Sequence, residues 1–148
     1  MSAVRVTLVV LLLAIAGAAF AVSSGGAQEP GRVLELTTRH SGGFRVDNPP
    51  RGPSAGDLLG FRESVRSGGA RIGRDHGTCI AVSRNVIDCA IIAQLRDGRL
   101  IVRLVQDLRQ RVSTGVVLGG SGAYRGTTGL ATVRSGRGGN RIRVELDD

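Results

Sequence analysis

The sequence predicts an all-β domain, either a sandwich or a barrel, that follows a short export signal. Short runs of β-forming residues recur at regular spacing across residues 32–147. Stretches rich in Gly, Pro and Asn separate these runs, as expected of turns. No segment shows a convincing helical periodicity over about ten residues or more. These three observations favour about eight strands and no substantial helix.

The N-terminal 21 residues have the three parts of a secretory signal peptide. Arg5 supplies a positive charge, an apolar run covers 6–16, and Ala19-Phe20-Ala21 has the form of a cleavage site. The alternative is a retained anchor, because the apolar run nearly reaches the about 20 residues of a membrane span when it is extended to Val22. We expect cleavage, a secreted or cell-envelope location, and no stable membrane span afterwards.

The rest of the chain divides into a Ser- and Gly-rich flexible leader at 22–31 and one domain at 32–148. Alternating or β-rich runs predict the strands. In order, the predicted strands are 32–38, 57–66, 71–72 with 77–82, 86–95, 99–105, 112–118, 127–135 and 141–147.

In the first half of the domain, one long connection and one short polar segment separate the predicted strand segments. Residues 41–56 are rich in Gly and Pro and predict a long irregular connection. In the next strand, Leu59, Phe61 and Val65 share one side. Asp75 and His76 then lie between two short strand segments, where we interpret them as loop residues rather than as parts of a catalytic triad, since no nucleophile is placed near them.

Turn signals organise the second half. Asp97-Gly98 predicts a tight hairpin, and the polar stretch 106–111 has the composition of a helical turn. Residues 119–126 contain four glycines, which invites comparison with a phosphate-binding loop. That motif requires a Lys and a following helix, whereas this chain has no Lys and continues with the β-formers Thr127 and Thr128. We therefore interpret the glycines as a corner between strands.

The two cysteines fall on neighbouring predicted strands. If 78–82 and 86–92 form a hairpin with a three-residue loop at 83–85, Val82 faces Val86, Cys79 faces Cys89, and Asn85 takes a left-handed conformation. In an oxidising compartment this pair predicts a disulfide; the alternative is two buried thiols. Two cysteines and two distant histidines give no metal-site spacing, so we expect neither a metal nor a cofactor.

The formal charge of +8 comes from 20 Arg residues. They are scattered singly along the chain, and one Tyr, three Phe and no Trp leave few side chains to stack on bases. We therefore expect no nucleic-acid partner, while an anionic surface partner stays open.

Three segments together resemble the allene oxide cyclase and dirigent superfamily. The first runs from Gly56-Asp57-Leu58-Leu59-Gly60-Phe61 to Gly77-Thr78-Cys79, and the second is Asp97-Gly98-Arg99-Leu100. The third is Leu118-Gly119-Gly120-Ser121-Gly122-Ala123-Tyr124-Arg125-Gly126 with Gly129, which is similar to the family's glycine-rich signature. The resemblance implies an eight-stranded antiparallel barrel of the calycin type, with an apolar cavity and a homotrimeric assembly.

The same resemblance implies the function and the site. Such barrels hold an apolar intermediate away from water and fix its conformation for cyclisation or coupling. Glu35 matches the catalytic Glu of the cyclases, Thr37 stands where they have Asn, and their cavity Tyr has no counterpart. We take Glu35 as the candidate catalytic residue, and Thr37, Phe61 and Glu63 as candidate ligand-binding residues. Alternation alone, however, turns Glu35 outward.

Three functions therefore remain open. The first is an isomerase or cyclase acting on a lipid-like or natural-product intermediate. The second is a non-catalytic barrel that only binds a small ligand. The third is a structural barrel whose outer arginines contact the cell envelope.

Overall fold

The computed structural model describes residues 31–147, and these form one closed antiparallel barrel in which each strand pairs with its neighbours in sequence and the last pairs with the first. This confirms the predicted all-β barrel. The strands are β1 Val33–Val46, β2 Leu58–Ser67, β3 Ala70–Ser83, β4 Val86–Leu95, β5 Gly98–Asp107, β6 Val112–Gly122, β7 Thr128–Gly136 and β8 Gly139–Asp147.

The predicted signal peptide at 1–21 and nearly all of the predicted leader lie outside the described residues. Within 31–147, no helix is long and apolar enough to cross a membrane.

The first strand is longer than predicted. Residues 41–46, which we expected in an irregular connection, continue β1 after a register shift between His40 and Gly42. The glycines in this stretch serve close strand packing, since a Cβ at Gly43 would lie 2.3 Å from the carbonyl oxygen of Gly60. The irregular connection is confined to 47–57.

The third strand is continuous through the segment that we interpreted as a loop. Asp75 pairs with Glu63 on β2 and with Ala93 on β4, so it lies in the middle of the sheet. The loop interpretation of Asp75 and His76 was wrong because pairing on both sides holds this polar stretch in the ladder. Likewise, 106–111 forms the end of β5 and a turn, not a helical turn.

The β3–β4 hairpin carries the predicted disulfide. Cys79 lies directly opposite Cys89, and their sulfur atoms are bonded. The predicted loop was wrong in detail: Ser83, not Val82, pairs with Val86, so Val82 is a bulge and the loop has two residues. Asn85 does not take a left-handed conformation, since no described residue other than Gly has a positive φ.

Aliphatic side chains and Tyr124 fill one part of the barrel interior. Tyr124 is buried among them, and the guanidinium of Arg32 lies 4.6 Å from the centre of its ring. The glycine-rich segment is the corner between β6 and β7, as predicted. A Cβ at Gly120 would lie 2.2 Å from the Arg99 carbonyl oxygen and 2.7 Å from Cβ of Tyr124. This cluster consists of Leu36, Val65, Leu100, Val102, Val117, Tyr124, Ala131, Val144 and Leu146.

Candidate functional site

The remaining interior of the barrel is a cavity of about 370 Å³. One wall is almost wholly apolar and is formed by strands β3 to β5. Its main side chains are Cys79, Ile87, Cys89, Ile91 and Leu104. Because the disulfide is part of this wall, Cys79 and Cys89 present sulfur atoms, not thiols, to whatever occupies the cavity.

A polar arc crosses the neighbouring strands β8, β1, β2 and β3. Strand register places Thr38 and His40 on β1, Glu63 on β2 and Asp75 on β3, and each of these side chains lines the cavity. Asn140 on β8 extends the arc, and its Nδ2 donates a hydrogen bond of 3.4 Å to Oε1 of Glu63. The cavity therefore combines an apolar body with one polar edge, the usual composition of a small-molecule site.

Glu63 and Asp75 form the chemically distinctive part of the arc. They are directly opposed across β2 and β3, a relation that places Cβ atoms about 5 Å apart. Burial, together with the charge of Glu63, raises the pKa of Asp75 to about 7. A neighbouring like charge disfavours ionisation of a carboxyl group in an apolar setting, so Asp75 retains its proton up to near neutral pH.

Two buried polar atoms in the cavity lack a hydrogen-bond partner within the described part of the protein. They are Oδ1 of Asp75 and Oγ1 of Thr38. The exposed fractions of these two residues are only 6% and 3%. An unpaired buried polar atom is costly, and a ligand that carries a polar group would satisfy both atoms.

The structure places the four sequence-predicted site residues on two different sides of the barrel wall. Phe61 and Glu63 line the cavity. Glu35 points outward with a side chain that is 67% exposed, and its Oε1 accepts a hydrogen bond of 2.6 Å from Nη1 of Arg143. Thr37 is likewise exposed on the outer face.

The expectation that Glu35 and Thr37 face the cavity is therefore corrected. In β1 the buried positions are Leu36 and Thr38, so alternation, and not the family register, gives the orientation. A residue outside the cavity cannot touch a ligand held within it, and we remove Glu35 and Thr37 from the candidate site.

Sequence reasoning missed Asp75, Thr38, His40 and Asn140. A signal for Asp75 was present in the Gly68-Gly69 pair, which forms the β2–β3 turn. Reading that pair as a hairpin turn places Asp75 near Glu63 across the strands. His40 required the β1–β2 register, which places it opposite Glu63. The proximity of Thr38 and Asn140 required the closure of β8 against β1, which no local pattern reports.

The described residues contain no group of three or more His, Cys, Asp or Glu side chains placed to hold a metal ion. The polar groups that line the cavity are carboxyl groups, an imidazole, hydroxyls and side-chain amides.

Comparison with known proteins supports the fold. No family model matches the chain, and no curated protein matches its sequence. Among solved structures, the barrel is similar to a pyocyanin demethylase, with 21% identity and a TM-score of 0.72 over 78% of this chain and 99% of that chain.

Two further solved structures have the same architecture. A pterocarpan synthase dirigent protein shows 14% identity and a TM-score of 0.61 over 78% of this chain and 83% of that chain. AbnU, an exo-specific intermolecular Diels-Alderase, shows 15% identity and a TM-score of 0.59 over 78% of this chain and 98% of that chain. These likenesses show that the chain shares the barrel fold of these proteins, one of which is a dirigent protein.

Proposed function

We propose that this barrel binds an apolar small molecule and directs its cyclisation or coupling by fixing its conformation. The observation that supports this proposal is a largely apolar cavity with one polar arc, in which Asp75, with its pKa raised to about 7, lies directly opposite Glu63. The residues proposed to contact the ligand are Phe61 and Glu63, from the sequence, together with Asp75 and Thr38.

The size and lining of the cavity support confinement as the main source of catalysis. A volume of about 370 Å³ lies in the range of ordinary small-ligand sites. A flexible substrate held there is limited to few conformations, so that the entropy cost of ring closure or coupling is met on binding. The apolar wall also keeps water from a reactive intermediate.

The carboxyl pair supplies the acid–base part of the proposal. A protonated Asp75 donates a hydrogen bond, or its proton, to an oxygen or nitrogen on which negative charge develops. The ionised partner then stabilises positive charge that develops elsewhere on the substrate. The proton returns to the pair from the product or from water, so the protein ends each cycle unchanged.

The names of the similar structures are consistent with this class of chemistry. A dirigent protein and a Diels-Alderase are both named for steering bond formation, whereas the demethylase is named for a different reaction. From these names we infer only that this barrel also acts on, or binds, a small organic molecule.

Binding is tested with Nile red, a neutral apolar dye, on the purified protein. We expect saturable fluorescence enhancement that Ile91→Trp abolishes, because Ile91 lines the cavity. The matched control is Ala90→Trp, which alters the preceding residue, exposed on the outer face of the same strand, and should leave binding intact. Equal binding by the two variants would remove the cavity from the proposal.

Catalysis is tested by product stereochemistry with a panel of phenoxyl-radical couplings and diene cyclisations. A steering barrel gives an unequal ratio of stereoisomers from at least one substrate, and Ile91→Trp returns that ratio to the protein-free value. Asp75→Asn should slow the reaction while Nile red still binds. Dye binding with no change in any product ratio or rate would identify a non-catalytic carrier instead.

We also propose export and a homotrimer, in keeping with the resemblance. The Cys79–Cys89 disulfide is compatible with an extracytoplasmic location. The outer face of β4 to β7 exposes large apolar side chains, which favour association with further copies. We call this the apolar outer face, and it comprises Ile92, Ile101, Val116, Leu118 and Leu130.

A further inference from the structure

The outer surface of strands β7, β8, β1, β2 and β3 is densely cationic. Nine exposed arginines lie on these five adjacent strands, and two of them, Arg45 and Arg143, are paired with carboxylates. We call the other seven the arginine face, and it comprises Arg39, Arg62, Arg66, Arg71, Arg74, Arg134 and Arg141.

The arginine face is not neutralised by the protein itself. None of its seven members forms a salt bridge within residues 31–147. Arg143, which lies beside this face on β8, shows the contrast, because its guanidinium contacts both Glu35 and Glu145 at 2.6 and 2.8 Å. Glu35 and Glu145 thus both pair with Arg143, and they do not neutralise the seven arginines of the arginine face.

Strand register makes this arrangement costly for the isolated barrel. Arg134 lies directly opposite Arg141, and Arg66 lies directly opposite Arg71. Like charges in directly opposed positions destabilise a sheet. Arg66 has a local role, because its guanidinium donates two hydrogen bonds to the carbonyl oxygen of Gly69 in the β2–β3 turn. The side chains of Arg71, Arg134 and Arg141 have no such partner within residues 31–147, and an anion that bridges the guanidinium groups of each pair turns the repulsion into attraction.

We propose that the arginine face binds a flexible anionic polymer that carries repeated phosphate or carboxylate groups. Neighbouring strands are about 4.8 Å apart, so five strands spread the arginines over about 19 Å. One small anion spans only a fraction of that distance. A chain with a charge every few ångströms engages several arginines at once.

The side chains between the arginines favour a polymer over a lipid bilayer. They include Thr37, Ser64 and His76, which are polar. Phe44 is the large apolar side chain exposed in the same groove as Arg62, Arg71 and Arg74, and one such side chain gives little apolar area to insert among acyl chains. The outward curve of a barrel wall also brings only a narrow strip of arginines to a flat membrane, whereas a flexible chain follows the curve.

The test uses the purified protein with polyphosphate as the phosphate probe, polyglutamate as the carboxylate probe and neutral dextran as the blank. We expect binding to at least one anionic probe and none to dextran, with an affinity that falls steeply with salt because counterions are released. The probe that binds identifies the charged group.

Two variants of equal charge separate a site from general attraction. The first changes Arg66, Arg71, Arg134 and Arg141 to Gln. The second changes four arginines elsewhere to Gln, and these are Arg51, Arg84, Arg99 and Arg125. We expect the first variant to lose roughly tenfold or more in affinity, and the second less than about threefold.

Equal losses in the two variants would overturn the proposal, since they would reflect net charge alone. Binding to vesicles of phosphatidylglycerol with none to either polymer would overturn it in favour of a membrane partner. The melting temperature of each variant is measured to show that it is folded. Removing the opposed arginine pairs should leave the melting temperature unchanged or raised. The cavity variant Ile91→Trp should bind the polymer normally, so this test is independent of the proposed function.

Discussion

Replacing Asp75 by Asn should remove the pH dependence of stability that this residue imposes. The pKa of Asp75 is about 7 in the folded protein, against 3.8 for a free carboxyl group, because of burial and the charge of Glu63. Below about pH 4, Asp75 is protonated in both the folded and the unfolded chain, and its burial costs little. As the pH rises towards 7, only the unfolded chain releases the proton readily, so the folded state loses stability; above 7 the loss is complete.

The size of this effect follows from the two pKa values. The interval from 3.8 to about 7 corresponds to at most about 4 kcal/mol, since each pH unit contributes about 1.4 kcal/mol. Asn has nearly the same shape and carries no charge. The Asp75→Asn variant should therefore match or fall slightly below the parent protein at pH 4, and exceed its free energy of unfolding by up to about 4 kcal/mol at pH 8.

Urea unfolding followed by far-UV circular dichroism, at intervals from pH 4 to pH 8, measures this difference. Asp57→Asn is the matched control, since Asp57 is also buried but accepts hydrogen bonds from Arg45, Asn48 and Ser54. Burial raises the pKa of Asp57, but those hydrogen bonds outweigh it and leave the pKa lowered. Relative to the parent protein, the Asp57→Asn variant should become less stable as the pH rises through the acid range, because it lacks the stabilising ionised carboxylate. A stability difference for Asp75→Asn that stays constant with pH would refute the electrostatic reasoning.

Three further predictions concern the scaffold. Gly120→Ala should destabilise the barrel by about 2 kcal/mol or more through overpacking against Arg99 and Tyr124, whereas Gly138→Ala, with no atom near the added Cβ, should be neutral in the same thermal melts. The double variant Cys79→Ala, Cys89→Ala should lose about 3 kcal/mol in urea unfolding, the value expected for a closed loop of this length; an unchanged midpoint would show that the bond adds nothing. Light scattering should give a trimer for the parent protein and a monomer for Ile101→Glu, and a monomeric parent would rule out the assembly.

The outcome of sequence reasoning differed between the fold and the site for a physical reason. Alternation in β2 placed Leu59, Phe61 and Val65 on one side of the strand, and that side lines the cavity, because the period of a strand is local information. The resemblance placed Glu35 in the cavity, and the structure places it outside. Local alternation in β1 was the better guide.

The polar arc was harder to predict because its members are distant in sequence. Thr38 and Asn140 come together only when β8 closes against β1, and Asp75 reaches Glu63 only when the β2–β3 register is known. Each of these side chains is polar, and polar residues are typical of turns and of solvent-exposed strand faces. Their functional meaning comes from burial, which a single sequence does not report.

The position of the disulfide in the cavity wall links ligand occupancy to the redox state of the protein. Cys79 and Cys89 are almost fully buried and line the same cavity. A ligand that contacts the bonded sulfurs more favourably than two thiols shields the bond from reductants, and by thermodynamic reciprocity, reduction weakens the hold on that ligand by the same factor. In a reducing environment the affinity of the cavity for that ligand would then fall, so that ligand binding depends on the redox potential of the surroundings.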